Sequence, residues 1–110
     1  MRPIRSQRRR VGDVTIYVTE CPTLWIVSTT MRNNTTVTRR CNVRHKKREF
    51  RTINDVERHI LCTERGTFEY VNDLGNIMRV NCTYKEYLFL KMNYGRDGLA
   101  EQEYELYKSL

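Results

Sequence analysis

The stretch CNVRHKKREFRTINDVERHILC, residues 41–62, begins and ends on a cysteine and holds both histidines of the chain. Cys41 and His45 form one pair and His59 and Cys62 a second, with 13 residues between the pairs. Structural zinc sites take Cys and His in fours, as paired ligands on two nearby elements, so these residues form a candidate metal clasp. If residues 54–62 are helical, His59 and Cys62 share one face at i, i+3. The spacing is irregular for zinc, because the common C-x2-C pair is missing. The plainer reading is a basic loop between two buried thiols, with no cofactor. Zinc at Cys41, His45, His59 and Cys62 stands as the one exception to that expectation.

The cysteines also admit a disulfide framework, since Cys21 and Cys82 bring the total to four, which allows three pairings. Asn33, Asn34 and Asn81 each open an N-x-[ST] match, as a secreted glycoprotein would. The start, MRPIRSQRRRVG, shows an arginine cluster with no apolar stretch after it. Reduced thiols and an intracellular location, cytoplasm or nucleus, are therefore expected, with secretion as the alternative. Signatures of catalysis are missing: there is no glycine-rich phosphate loop, no G-x-S-x-G and no H-E-x-x-H. The chain is not expected to be an enzyme.

Charge points elsewhere. Lys and Arg total 20 against 13 Asp and Glu, and 15 of the 20 are Arg. Residues 1–51 carry 13 basic and 3 acidic side chains, net +10, while residues 52–110 carry 7 and 10, net −3. A basic half joined to an acidic half suggests a polyanion-binding surface. Arginine suits phosphate because its planar fork donates to two oxygens at once. The basic residues fall in two runs. Residues 1–10 include Arg5, Arg8, Arg9 and Arg10, and residues 39–51 include Arg39, Arg40, Arg44, Lys46, Lys47, Arg48 and Arg51. Phe50 lies inside the second run and is the aromatic expected to stack on a base.

The elements that must position these residues follow from the apolar pattern. Residues 1–10 have almost nothing apolar and read as a flexible basic arm. Val14–Thr19, Leu24–Thr30 and Thr35–Val43 read as strands, with a turn at Arg32-Asn33-Asn34. A helix is expected at about 54–62, with Asn54 as its N-cap and Ile53, Val56 and Ile60 at helical spacing. Asn72-Asp73-Leu74-Gly75-Asn76 is a strong hairpin signal between strands Thr67–Val71 and Ile77–Thr83. Tyr84–Met92 fits strand or helix. A last helix is expected at about 98–109. The whole reads as one α+β domain over 11–110, mostly antiparallel sheet with two helices and the basic N-terminal arm.

The function expected from this reading is nucleic-acid binding, RNA rather than DNA, directed at phosphates and weakly sequence-specific. A single alanine in 110 residues is unusual and hints at a viral accessory protein. Two other classes stay open: a secreted disulfide-linked ligand or immune modulator that binds another protein, and a structural subunit of a ribonucleoprotein or viral assembly. No membrane association is expected, because no run approaches the 18 or so apolar residues needed to cross one.

Overall fold

The computed structural model describes residues 3–33 and 36–110, the side chains of residues 32–42 lying outside that description. The fold is α+β, with six strands in two antiparallel sheets and three α-helices among the described residues. It divides into two compact units, Met1–Ile60 and Leu61–Leu110.

The first unit is a four-stranded antiparallel meander in the order β1 (Arg5–Val11), β2 (Val14–Glu20), β3 (Leu24–Asn33) and β4 (Thr36–Lys46). In β2, Val14, Ile16 and Val18 are fully buried and alternate with Thr15, Tyr17 and Thr19. That alternation defines an inner and an outer face, because successive side chains in a strand point to opposite sides. On the inner face Val14 and Ile16 lie opposite Met31 and Thr29 of β3, and Val18 lies opposite Val27. Burying each large apolar side chain of this set contributes roughly 1.5–3 kcal/mol. Gly12, at φ 57°, turns the chain between β1 and β2, a conformation that costs glycine nothing.

Helix α1 (Ile53–Thr63) follows a short 3-10 turn at Lys47–Glu49. Its cap is Thr52 rather than the expected Asn54. The Thr52 hydroxyl accepts from Asp55 N–H at 3.1 Å, and the Asp55 carboxylate accepts from Thr52 N–H at 3.2 Å. This reciprocal pair is a capping box two residues earlier than the sequence suggests. Val56 and Ile60 are buried on one face of α1. At about 100° per residue, Glu57 and His59 flank that face on its two sides. Glu57 meets Arg9 of β1, and the His59 ring meets His45 of β4. Within this unit, residues 53–60 of α1 thus reach both edge strands, β1 through Glu57 and β4 through His59.

The arm expected at 1–10 does not stand apart over Arg5–Arg10. Those residues form most of β1, paired residue by residue with β2 from Arg5 opposite Glu20 to Val11 opposite Val14. An edge strand needs few apolar residues, because its backbone hydrogen bonds to one neighbour hold it and its side chains stay largely in water. The inward-pointing Arg5 and Arg9 each find a carboxylate.

The second unit holds a hairpin of β5 (Arg65–Val71) and β6 (Ile77–Thr83), then α2 (Tyr84–Tyr94) and α3 (Glu101–Ser109). The turn forms as its sequence indicates. The Asn72 side chain accepts from Leu74 and Asn76 N–H, and Gly75 takes φ 85°. Glu69 and Arg79 face each other across the hairpin, with Arg79 Nε donating at 2.9 Å. Tyr84–Tyr94 is helical, capped by Thr83, whose hydroxyl accepts from Glu86 N–H at 3.1 Å while the Glu86 carboxylate returns the bond. Phe68, Tyr84 and Tyr87 form the aromatic core, with Phe68 and Tyr87 stacked at 5.0 Å. The last helix starts three residues later than expected. Its Leu106 is buried, while Tyr104 is exposed. No helix among the described residues is long and apolar enough to cross a membrane.

Candidate nucleic-acid interface

Register sorts the basic residues by face. On the outer face Arg8 lies opposite Tyr17, which lies opposite Ser28. The neighbouring rows run Arg10–Thr15–Thr30 and Ser6–Thr19–Ile26–Arg44. Lys46 continues the β4 edge opposite Leu24. Two contacts agree with this assignment. The Arg8 guanidinium sits over the Tyr17 ring at 5.9 Å, and Ser6 donates to Thr19 at 3.3 Å. The outer face therefore presents Arg8 and Arg10 along β1, and Arg44 and Lys46 along β4. Tyr17, small hydroxyl side chains and the apolar Leu24 and Ile26 lie between them. All four cations are exposed, and none forms an ion pair among the described residues.

The inner-side cations are placed differently. Arg5 Nε and Lys47 Nζ hold the two oxygens of Glu20 at 2.5 and 2.6 Å. These donors, the Lys47 hydrogen bond first, lower the Glu20 pKa despite its desolvation. Lys47 also lies 6.0 Å from the Trp25 ring, and its carbonyl accepts from the Trp25 indole N–H at 3.4 Å. Arg9 is bonded to Glu57, whose carboxyl pKa is raised because burial outweighs the attraction of Arg9. These three cations are held by two carboxylates of the fold. Their net contribution to a phosphate site is small, because a phosphate would have to displace a carboxylate.

The remaining sequence candidates separate too. Arg48 and Arg51 are exposed beside the 3-10 turn. Arg39, Arg40 and Cys41 belong to β4, but their side chains lie outside the described residues. Phe50 is half-buried between the two histidines, with centroids 5.6 Å from His45 and 5.0 Å from His59. Its ring is thus occupied by neighbours rather than presented to a ligand. The histidines meet at 5.3 Å, edge to face, and His45 Nδ1 lies 3.4 Å from a Glu49 oxygen. Among the described residues no group of three or more His, Cys, Asp or Glu is placed to hold a metal ion. Cys21, Cys62 and Cys82 carry free thiols, and burial pushes the Cys82 pKa up to about 11.

Sequence reasoning passes over Tyr17, which is 39% exposed at the centre of the outer face. Its signal is the alternation of Val14, Ile16 and Val18, which forces the residue between the last two outward. In the second unit a groove of about 300 Å³ is lined by Tyr70, Asn72, Asp73, Leu74, Met78 and Tyr94. Its lining is mainly apolar and carries one carboxylate and no cation, so it does not suit a polyanion.

No family model matches the chain, and neither a curated protein nor a solved structure gives a significant match.

Proposed function

We propose that the outer face of the four-stranded sheet binds nucleic acid, RNA in particular, through its phosphates and without catalysis. The observation that carries this reading is the division of the cations. Arg5, Arg9 and Lys47 are paired with Glu20 and Glu57, while Arg8, Arg10, Arg44 and Lys46 stand exposed on one face. Three strand spacings of about 4.8 Å set the two charged edges roughly 14 Å apart, wide enough for a chain of phosphates to run along or across the face. The hydroxyls between them, Thr15, Thr19 and Thr30, can donate to phosphate or sugar oxygens.

Replacing Arg8, Arg10, Arg44 and Lys46 together by alanine tests the proposal. Four phosphate contacts to a single strand give a salt slope near −3, so affinity should fall about 50-fold between 50 and 200 mM salt in the unaltered protein. The fourfold variant should lose most of that slope and keep its melting temperature. Arg58→Ala, an exposed cation of α1, should change neither. A binding curve that is insensitive to salt, or equal in the fourfold variant, would sink the proposal.

The observation that bears on zinc is the meeting of His45 and His59. Phe50 touches both rings, and edge-to-face contacts of this kind are how rings pack in a core. We read the cluster as packing between α1 and β4. His59→Ala should then cost about 1 kcal/mol, and a chelator should leave the melting curve of the unaltered protein unchanged. A chelator-induced loss of structure would instead establish the clasp at Cys41, His45, His59 and Cys62.

A further inference from the structure

We infer that the polymer taken by the outer face is single-stranded, and that one unpaired base stacks on Tyr17. This rests on the nucleic-acid reading above and narrows it. Tyr17 occupies the second strand of a four-stranded face and is 39% exposed there. Its directly opposite neighbour on β3 is Ser28, too short to cover an aromatic ring. Along its own strand the outward neighbours are Thr15 and Thr19. Arg8 approaches from the β1 side at 5.9 Å from the ring centroid. The ring therefore lies among Thr15, Thr19 and Ser28, with Ile26 diagonal to it and the Arg8 guanidinium over it, so an incoming base shares the ring with Arg8.

A duplex cannot use that ring. Its bases are stacked on one another and show only their edges, and in an RNA duplex the major groove is too deep and narrow for side chains to read. A single strand can turn a base down onto Tyr17 while its flanking phosphates reach Arg8 and Arg10 on one side and Arg44 and Lys46 on the other. Such stacking is tolerant of sequence, because every base has a π-face. Arg8 would serve both parts of the contact, since a guanidinium can lie against an aromatic plane and still donate to a phosphate.

The test compares labelled ten-nucleotide single strands of RNA and of DNA with an RNA duplex of the same sequence, at fixed salt, by fluorescence anisotropy. The unaltered protein should bind the single strands more tightly than the duplex. Tyr17→Phe should keep single-strand affinity within about twofold. Tyr17→Ala and Tyr17→Thr should each weaken it by about 5- to 150-fold, with duplex affinity nearly unchanged. The threonine variant guards against a loss of strand structure, since a β-branched residue suits this position. If both Tyr17 variants bind single strands as well as the unaltered protein while Arg44→Ala/Lys46→Ala binds less well, the stacking inference is overturned and the charged face stands. A duplex bound as tightly as the single strand overturns it in the same way. If the unaltered protein binds none of the three probes, both readings fall. Equal losses on RNA and DNA assign the contact to base and phosphate, and a larger loss on RNA adds the 2′-hydroxyl; either supports the stacked base.

Discussion

A chain that begins at Val11 should melt at least about 10 °C below the full-length protein. The basic N-terminal segment reads from sequence as removable, yet Arg5–Val11 is an edge strand of the main sheet. Its removal strips Arg9 from Glu57, whose side chain is only 5% exposed. Breaking a buried ion pair from one side costs about 3–5 kcal/mol, and the lower end applies here because Arg9 itself is partly in water. Lost pairing with β2 adds to this. At about 4 °C per kcal/mol for a domain of this size, the shift is easily measured.

The pH dependence of that deficit has a definite sign. Burial raises the Glu57 pKa, so the folded state favours the neutral carboxyl. A raised carboxyl adds most to stability below its ordinary value and loses that contribution as pH climbs through the raised one. Without Arg9 the value rises further, so the deficit should be larger at pH 8 than at pH 5.5. Glu20 behaves in the opposite way. Its pKa is lowered, so its contribution is present above the ordinary value of 4.5 and is lost as pH falls through the lowered one. The comparison therefore belongs above pH 5. Arg9→Met isolates the Glu57 part. Coincident melts of the truncated and full-length chains would show that β1 is not held as described.

Lys91→Met should be the most damaging single substitution in the second unit. Lys91 Nζ donates to both oxygens of Glu103, at 3.1 and 3.0 Å, and joins α2 to α3. The pair is buried, with side-chain exposures of 16% and 2%. Glu103 also accepts from Ala100 N–H at 3.0 Å, closing the first turn of α3. Removing the ammonium strands a carboxylate out of water, at a cost of about 3–5 kcal/mol. Glu103→Gln in the same chain should recover much of the loss, because an amide can still cap α3 and carries no charge. Urea melts of the single and double variants measure both effects. A Lys91→Met variant as stable as the parent would show that Glu103 has another partner.

Much of this architecture is legible locally. The alternation in β2, the Asn72–Asn76 turn and the helical spacing of Val56 and Ile60 each depend on neighbours in sequence, and each element forms where that spacing indicates. The parts that resist reading depend on distant partners. Nothing near Arg9 announces Glu57, 48 residues away, so a charged segment that is a strand looks like a tail. Tyr84–Tyr94 is rich in aromatics, which favour strands, and its helix signal, Thr83 with Glu86, sits on the end of a strand. Phe50 draws attention by its basic neighbours, while its ring is claimed by two histidines from either side in sequence. Tyr17 was readable from alternation alone.

An open meander ends in two strands with unused hydrogen-bonding groups, which invite the strands of other molecules. In this sheet β1, one of those two strands, carries Arg8 and Arg10 outside any ion pair among the described residues, beside Arg5 and Arg9 with their carboxylates. A second copy approaching this margin meets its own charge, and repulsion of that kind guards natural sheets against growing into aggregates. The same arginines that would draw a polyanion thus act as gatekeepers when none is present. Salt, which weakens the first role, weakens the second as well, so the isolated protein should be less colloidally stable in concentrated salt than its net charge of +7 would suggest.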